Sequence, residues 1–298
     1  MKRSKLYYLT HPSVAIPALL SKVSDRYAIE QQWKRCMDYP LNLSDPQTFC
    51  EKLNWLKLHD HNPLYHKLVD KYEVKQWVAD KIGEEYVVKT YALYNSVDEI
   101  DFDALPNSFV LKCTHNSGGL VVCPNKCKLD SNAAKEILRL GMVCGDYYLN
   151  NREWAYKGVK PRIIAEEYIN SLGKPESIEY KLTCINGKVK MTTVCSGIAH
   201  VESDKRFNDH FDEDGNRLPF YVAYKPAGLN LPEKPIYDEL VRIAEILSHN
   251  IPQVRVDLYL HNEKIMFGEM TFYTWAGYMN YVPKEWDRIM GSWLKINR

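Results

Sequence analysis

Several features are missing from this chain of 298 residues. It has no run of about 18 apolar residues, so no segment reads as a membrane-spanning helix. The opening MKRSKLYYLTHPSVAIPALLSK carries basic residues, but its apolar stretch is broken and no small-residue cleavage site follows. It therefore does not read as a secretory leader, and the expected compartment is the cytoplasm. No excess of one charge exists either: 39 Lys and Arg stand against 38 Asp and Glu. With no basic stripe along the sequence, the electrostatic footprint of a nucleic-acid binder is absent. There is no internal repeat and no low-complexity tract, which excludes a solenoid. The eight cysteines (36, 50, 113, 123, 127, 144, 184 and 195) sit mostly within apolar runs, as buried thiols do, rather than forming a disulfide framework. Cys123 and Cys127 have a loose metal-ligand spacing, but no second pair or nearby histidine completes a zinc site.

What is present is enough apolar sequence, 45% of residues, for a core of one large or two ordinary domains. Ser44, Pro46 and Gln47 read as the start of a helix that continues through Phe49, Leu53 and Leu56. A second helix is expected from Leu64 through Leu68, Tyr72 and Val78 to Ile82, closed by Gly83. Beyond Gly83 the character changes. EYVVKTYALY, SFVLKCTH and GLVVC are β-branched or aromatic runs bounded by turn residues, followed by a helix from about Ser131 to Leu140. RIIAEEYI precedes a hairpin, YKLTCINGKVKMTTV, which turns at Asn186-Gly187. The stretch HVESDKRFNDHFDEDGNRLPF reads as a long polar loop, too charged for a strand. An amphipathic helix then carries Ile236, Leu240, Ile243 and Leu247 on one face. VRVDLYLHNEKIMFGEMTFY ends the pattern as two strands turning near Asn262 and Glu263. The whole reads as α+β: a helical region over 1–82, a smaller α+β unit over 83–165 and a larger one over 166–298.

Three places carry chemistry. In the last hairpin, strand alternation puts Arg255, Asp257 and Tyr259 on one face, and Phe267, Glu269 and Thr271 are expected to share a face on the return strand. With the turn centred on Glu263, Asp257 and Glu269 oppose each other. Opposed carboxylates need a cation between them. Mg²⁺, which favours carboxylate and phosphate oxygens, is one solution, and an Arg255–Glu269 ion pair on a solvated face is the other. In FVLKCTHNSGGLVVC, Lys112 closes a strand before a glycine-containing loop. Its ammonium and the bare backbone of the loop suit phosphates, although an ordinary strand-end lysine and hairpin turn would read the same way. The loop does not match the P-loop pattern. In RIIAEEYI, Glu166 and Glu167 point to opposite faces, so at most one faces a given pocket, where it would accept from a ribose or amine; a solvated strand end is the alternative.

The order of these features resembles the ATP-grasp superfamily, in which two α+β subdomains grip ATP, and more closely its TupA-like branch, associated with teichuronopeptide and other bacterial surface polysaccharides. DKY near Asp70, LKCTHNSGG, REWAYKGVKPRIIAEEYI, EYKLTCINGK and RVDLY…FGEMTFY carry the resemblance, from about Asp70 to Tyr281. The resemblance implies that Lys112 binds the ATP phosphates, with Asn116, Ser117, Gly118 and Gly119 as a closing flap. It implies an adenine hinge at Glu166, Glu167, Tyr168 and Ile169, with Glu179 on the ribose hydroxyls. Lys181 becomes a further cationic contact, Arg255 the residue facing the phosphoryl group in transfer, and Asp257, Glu269 and Thr271 ligands of Mg²⁺ or Mn²⁺. The superfamily's usual Glu-x-Asn ending is here Glu269-Met270-Thr271, which puts the second metal position in doubt.

The activity implied is ATP-dependent ligation of a carboxylate to an amine through an acyl phosphate. The acceptor would be a uronic acid of a surface glycan or of its nucleotide-sugar precursor. Lys205 and Arg206 in the polar loop are candidate substrate contacts, unless that loop is only a solvated excursion. The aromatic tail FYTWAGYMNY could stack on a sugar or pack in the core. His115, His200 and His210 are candidate bases that their types alone do not establish. Two other functions are the alternatives: a glycosyltransferase, and a non-catalytic nucleotide-binding partner in polysaccharide assembly. The only Asp-x-Asp triplets that a metal-dependent transferase could use are Asp101-Phe102-Asp103 and Asp212-Glu213-Asp214, and neither follows a nucleotide-binding unit. The sequence sets no oligomeric state.

Overall fold

A computed structural model of the chain describes residues 24–116, 118–143, 148–169, 177–197 and 202–296. Ser117, Cys144, His200 and the opening segment lie outside the described residues. In chain order, four helices come first: α1 Asp25–Cys36, α2 Phe49–His59, α3 Leu64–Val69 and α4 Glu73–Ile82. The expected start at Ser44 is displaced. Thr48 is the N-cap of α2, and a reciprocal capping box with Glu51 fixes it, satisfying two orphan helix donors that Ser44 and Gln47 do not reach. The single helix expected over 64–82 is two. Asp70 lies between them and accepts the amides of Tyr72 and Glu73, which ends α3 and seeds α4.

Two antiparallel sheets follow. The smaller has strand order β1-β4-β2-β3, from β1 Thr90–Tyr94, β2 Phe109–Cys113, β3 Leu120–Cys123 and β4 Ile163–Glu167. Helix α5, Ser131–Val143, covers one face of this sheet, burying Leu138 and Ala134 with Phe109, Leu111 and Cys113. A short helix, α6 Tyr148–Asn151, leads toward β4. All of β4 belongs to the smaller sheet, so the division between the sheets falls after Glu167 rather than at 165.

The larger sheet has order β7-β6-β5-β8-β9, from β5 Ile178–Ile185, β6 Lys188–Ser196, β7 Phe207–Phe211, β8 Gln253–His261 and β9 Lys264–Thr271. Asn186 and Gly187 both have positive φ (51° and 75°), the geometry of a tight hairpin turn. Strand β7 overturns the reading of 200–217 as a loop throughout. Its charge is internal: Asp209 is buried, pairs with Arg217 and accepts the amides of Ala227 and Leu229 at 2.9 and 3.0 Å. The aspartate thus organises the following loop instead of repelling the sheet.

Helix α7, Lys234–Leu247, packs Leu240, Ile243, Ala244 and Leu247 against one face of the larger sheet. The last helix, α8 Glu285–Trp293, returns to the start of the chain: Asp287 accepts the Cys50 amide at 2.9 Å, and Lys52 donates to Gly291 and Leu294 carbonyls. Helices α1 to α4 share one apolar core with β5, β6, β8 and β9, so the helical start is part of the larger unit's packing.

Candidate active site

The two sheets turn polar faces toward a common space. In β2, Phe109, Leu111 and Cys113 face α5, which leaves Lys112 on the opposite face. There its ammonium pairs with one carboxylate oxygen of Glu166, and Lys75 from α4 pairs with the other. Lys75 also donates to the Val88 carbonyl at 2.6 Å and Thr90 Oγ1 at 3.0 Å. Burial works against charge on Glu166, yet Lys112 and Lys75 hold its carboxyl below the usual glutamate value. Burial pulls the Lys75 ammonium down. Glu167 is exposed, as alternation requires, and its amide donates to the Lys89 carbonyl. Ile169 is buried with Val88, Tyr259 and Met266, an apolar cluster that joins residues flanking the smaller sheet to the β8–β9 hairpin of the larger.

The loop after Lys112 is packed down. Asn116 is buried; its Nδ2 donates to the Gly141 carbonyl at 2.8 Å and its Oδ1 accepts the Gly118 amide at 3.0 Å. Gly119 has φ +65°, and a β-carbon there would lie 2.4 Å from Cys113 Sγ. Its bare backbone is needed for contact with α5, where Gly141 meets it in turn. Lys71 fastens the loop from the other side, donating to the Asn116 carbonyl at 2.6 Å.

The β8–β9 hairpin turns at Asn262 and Glu263, both with positive φ (49° and 64°). From His261↔Lys264 this tight turn would carry Gly268 opposite Asp257. A bulge at Gly268 advances the register by one, so that Asp257 faces Glu269 and Arg255 faces Thr271. A β-carbon on Gly268 would stand 3.0 Å from the Asp257 carbonyl oxygen, which explains the glycine. The bulge also corrects the expected face: Phe267 joins Ile265 and Met270 in the core, and Glu269 and Thr271 point the other way.

At that open face Arg255 holds Asp257 through two parallel bonds, Nε to Oδ1 at 2.6 Å and Nη2 to Oδ2 at 2.7 Å. Lys181 donates to the same Oδ2 at 2.7 Å and to Glu179 at 2.8 Å. Arg255 also donates to Thr271 Oγ1 at 3.0 Å and lies 3.5 Å from Glu269, while the Thr271 hydroxyl donates to Glu269 at 3.0 Å. Burial raises the cost of charge on Asp257, and Arg255 and Lys181 outweigh it, keeping the carboxyl below the usual aspartate value. Desolvation and the Asp257 charge oppose charge on Glu269, but Lys71 and Arg255 hold its carboxyl below the usual glutamate value. Lys71 stands between the two clusters, bonded to the Asn116 carbonyl and lining one cavity with Glu269 and Arg255, and burial lowers its ammonium against the pull of Glu269.

A cavity of about 490 Å³ opens from this cluster, with Lys71, Asn116, Arg255, Glu269 and Thr271 at its wall. Lys205 lies outside it, in an exposed pair with Glu202. Arg206 donates to Tyr224 Oη at 3.1 Å, and the Tyr224 ring lies 6.1 Å from that of Trp275, another cavity residue. His210 is a core histidine, stacked on Phe220 and bonded to Thr193 Oγ1, with burial lowering it to about 4. His115 is buried beside Asn116, and burial and Lys71 lower it too. Asp101 and Asp212 cap turns through backbone amides, which accounts for both Asp-x-Asp triplets. Sequence reading missed Lys71 and Lys75 as site residues. Their closeness to Asp70 was the available signal: Lys71 follows it directly and Lys75 lies in the first turn of α4, which Asp70 seeds.

Do these residues fit a divalent metal? Asp257, Glu269 and Thr271 offer hard oxygen donors in one register, and no group of three or more Asp, Glu, His or Cys suited to a metal occurs among the described residues. As oxygen donors Asp257 and Glu269 suit Mg²⁺, commonly held by one or two carboxylates with phosphate oxygens completing the shell, once Arg255 and Lys181 give up the Asp257 oxygens they occupy. Lys181 and Arg255 supply the countercharge to Asp257.

Among solved structures of similar shape, D-cycloserine synthetase DcsG is 15% identical with a TM-score of 0.46, covering 87% of this chain and 88% of that one. D-alanine–D-alanine ligase from Bacillus anthracis, complexed with ATP, is 13% identical (TM-score 0.40; 69% of this chain, 55% of that one). The ATP-grasp ligase PsnB, complexed with a minimal precursor, is 11% identical (TM-score 0.39; 78% and 63%). The chain thus spans under two thirds of the length of the last two. No curated protein sequence matches it. Residues 51–295, which include both sheets and every charged residue of the two clusters, match the family described as TupA-like ATPgrasp. With most of its length matched, the chain belongs to the TupA-like ATPgrasp family.

Proposed function

We infer that the protein is an ATP-dependent carboxylate–amine ligase acting on a uronic acid of a bacterial surface polysaccharide or its nucleotide-sugar precursor. The observation that carries this reading is the position of Lys71, which donates to the Asn116 carbonyl of the loop after β2 at 2.6 Å and lines one cavity with Arg255, Glu269 and Thr271 of the larger sheet. A triphosphate placed between the clusters would meet Lys112, Lys75 and Lys71, and its base would fit the apolar cluster of Val88, Ile169, Tyr259 and Met266. Glu179 lies opposite Tyr259 across β5 and β8, where it can take the ribose hydroxyls.

The chemistry is a double displacement. A substrate carboxylate oxygen attacks the γ-phosphorus, the bond to the β,γ-bridging oxygen breaks, and ADP leaves. The amine then attacks the acyl carbon, phosphate departs with the C–O pair, and the amine proton passes to solvent or phosphate. Arg255 stabilises the oxygens of the phosphoryl group in transfer, and Lys181 keeps Asp257 ionised. Magnesium bound at Asp257 and Glu269 would neutralise phosphate charge. No covalent enzyme intermediate is required; positioning and charge suffice.

The test is phosphate release from ATP with Mg²⁺, using D-glucuronate, D-galacturonate and their UDP derivatives crossed with amino acids and small amines. Release that requires both an acid and an amine, with the matching amide mass, supports the reading. ATP binding without release under every combination favours a nucleotide-binding partner, and release of free nucleoside diphosphate with sugar transfer would make it a glycosyltransferase.

A further inference from the structure

Helix α5 is apolar on two sides. Ala134, Leu138 and Gly141 are buried on the side that packs against the smaller sheet, whereas Leu140 is 64% exposed, Val143 75%, and Ile137 is exposed with them. At about 100° per residue, the exposed three form one stripe along the helix, apart from the buried one. Leu149 on α6 is 50% exposed as well. One apolar side chain in water needs no explanation, but a row of them marks a contact surface.

The charge beside this row favours anions. Lys157 is exposed, with its Nζ 5.2 Å from the centre of the Tyr148 ring at the start of α6. Nearby acids are already engaged: Asp25 accepts from Tyr148 Oη and lies 3.7 Å from Arg152 Nε, and Glu136 pairs with Arg139. The Asp25 contacts also set the start of α1 against α6, so the chain that precedes α1 joins the fold at this place. Residues 1–24 carry Lys2, Arg3, Lys5 and Lys22 and no Asp or Glu, together with Tyr7, Tyr8, Ile16, Leu19 and Leu20. Cations, tyrosines and aliphatic residues without acids are the composition that favours the headgroup region of an anionic bilayer.

We propose that this side of the molecule docks on an anionic membrane surface, with Leu140, Val143 and Leu149 in the headgroup region and Lys157 and the cations of residues 1–24 against the lipid anions. The combination singles out a bilayer: an apolar row on a helix supplies the hydrophobic contact, and the neighbouring cations supply the attraction. Each Lys or Arg close to such a surface strengthens binding about fivefold, a gain that salt screens. Docking leaves the site accessible. Helix α5 covers the face of the smaller sheet opposite Lys112 and Glu166, so a bilayer on α5 does not close the space between the two sheets. Membrane docking of this kind stands independently of the ligase reading.

Co-sedimentation of the full chain with vesicles tests this, using phosphatidylcholine alone and phosphatidylcholine with about one quarter phosphatidylserine. At about 0.1 M salt, binding to the anionic vesicles should be about tenfold or more tighter than to the neutral ones, and most of the difference should vanish at about 0.5 M. Replacing Lys2, Arg3 and Lys5 together by Gln should weaken binding to anionic vesicles about tenfold or more. Leu140→Ser combined with Val143→Ser should weaken it about tenfold, while Tm and ATP binding keep their wild-type values because both side chains stand outside the core. Equal binding to the two vesicle types, binding to neither, or wild-type affinity in either set of variants would overturn the proposal. Self-association that the Leu140→Ser, Val143→Ser variant loses, without vesicle binding by the wild type, would assign the row to a second copy of the chain instead.

Discussion

Replacing Asp257 with Asn tests the centre of the larger sheet. The wild-type carboxylate accepts three charge-assisted bonds, two from Arg255 and one from Lys181, at 2.6–2.7 Å. Its side chain is 7% exposed, with Arg255 at 16% and Lys181 at 20%. An amide keeps one acceptor oxygen and turns its NH₂ toward two cations, leaving them largely uncompensated. Breaking a buried pair in this way costs about 3–5 kcal/mol. At roughly 2–4 °C per kcal/mol for a chain of this size, Tm without nucleotide should fall by about 10 °C. Differential scanning calorimetry measures this directly. A second arm uses ligand: wild type should gain more Tm from ATP with Mg²⁺ than from ATP with a chelator, and Asp257→Asn should lose that difference. A shift of under about 2 °C would refute the claim that these pairs carry stability. A surviving magnesium increment would remove the metal assignment. Adding Arg255→Met to Asp257→Asn should recover part of the loss, because the stranded cation goes with it.

Glu166→Gln should flatten the acid limb of stability. The folded carboxyl is held below its ordinary value of 4.5, so the unfolded chain binds the proton first; the contribution is full above that value and lost as pH falls through the lower folded one. Urea midpoints from pH 7 to pH 3 should therefore drop less steeply in the variant, and equal slopes would contradict the pairing. Lys112→Ala should weaken ATP binding more than ADP binding if Lys112 reaches the terminal phosphates; equal loss by calorimetry would place it on the inner ones. Lys57→Met strands the carbonyls of Asn151 and Ala276 and should cost about 2–4 kcal/mol by urea unfolding. With folding secured by low temperature, its KM for the acceptor acid should rise more than its KM for ATP, and proportional rises would mean that Lys57 supports the whole site without orienting the cavity.

The parts of the fold legible in sequence were those fixed by local geometry. The amphipathic face of α7, the Asn186-Gly187 turn and the Gly83 cap each depend on residues a few positions apart, and the structure places them where periodicity did. The facing of Asp257 and Glu269 was also anticipated, although the Gly268 bulge produces it and moves Phe267 into the core. Strand β7 was illegible because Asp209 and His210 read as solvent-facing until the Ala227 and Leu229 amides and the Phe220 ring enclose them. The sequence alone determined the α+β class with its helical start and the family, since these are written in composition, order and short-range pattern. Tertiary structure alone decided that Lys75 joins Lys112 and Glu166, that Lys71 reaches both the Asn116 carbonyl and the cavity beside Glu269, that Arg255 holds Asp257, and that Lys57 and Glu153 stand beside a tyrosine-lined cavity. Those groups come from segments far apart in the chain, and only the packing of α2 and α4 against the sheets brings their charges within range of one another.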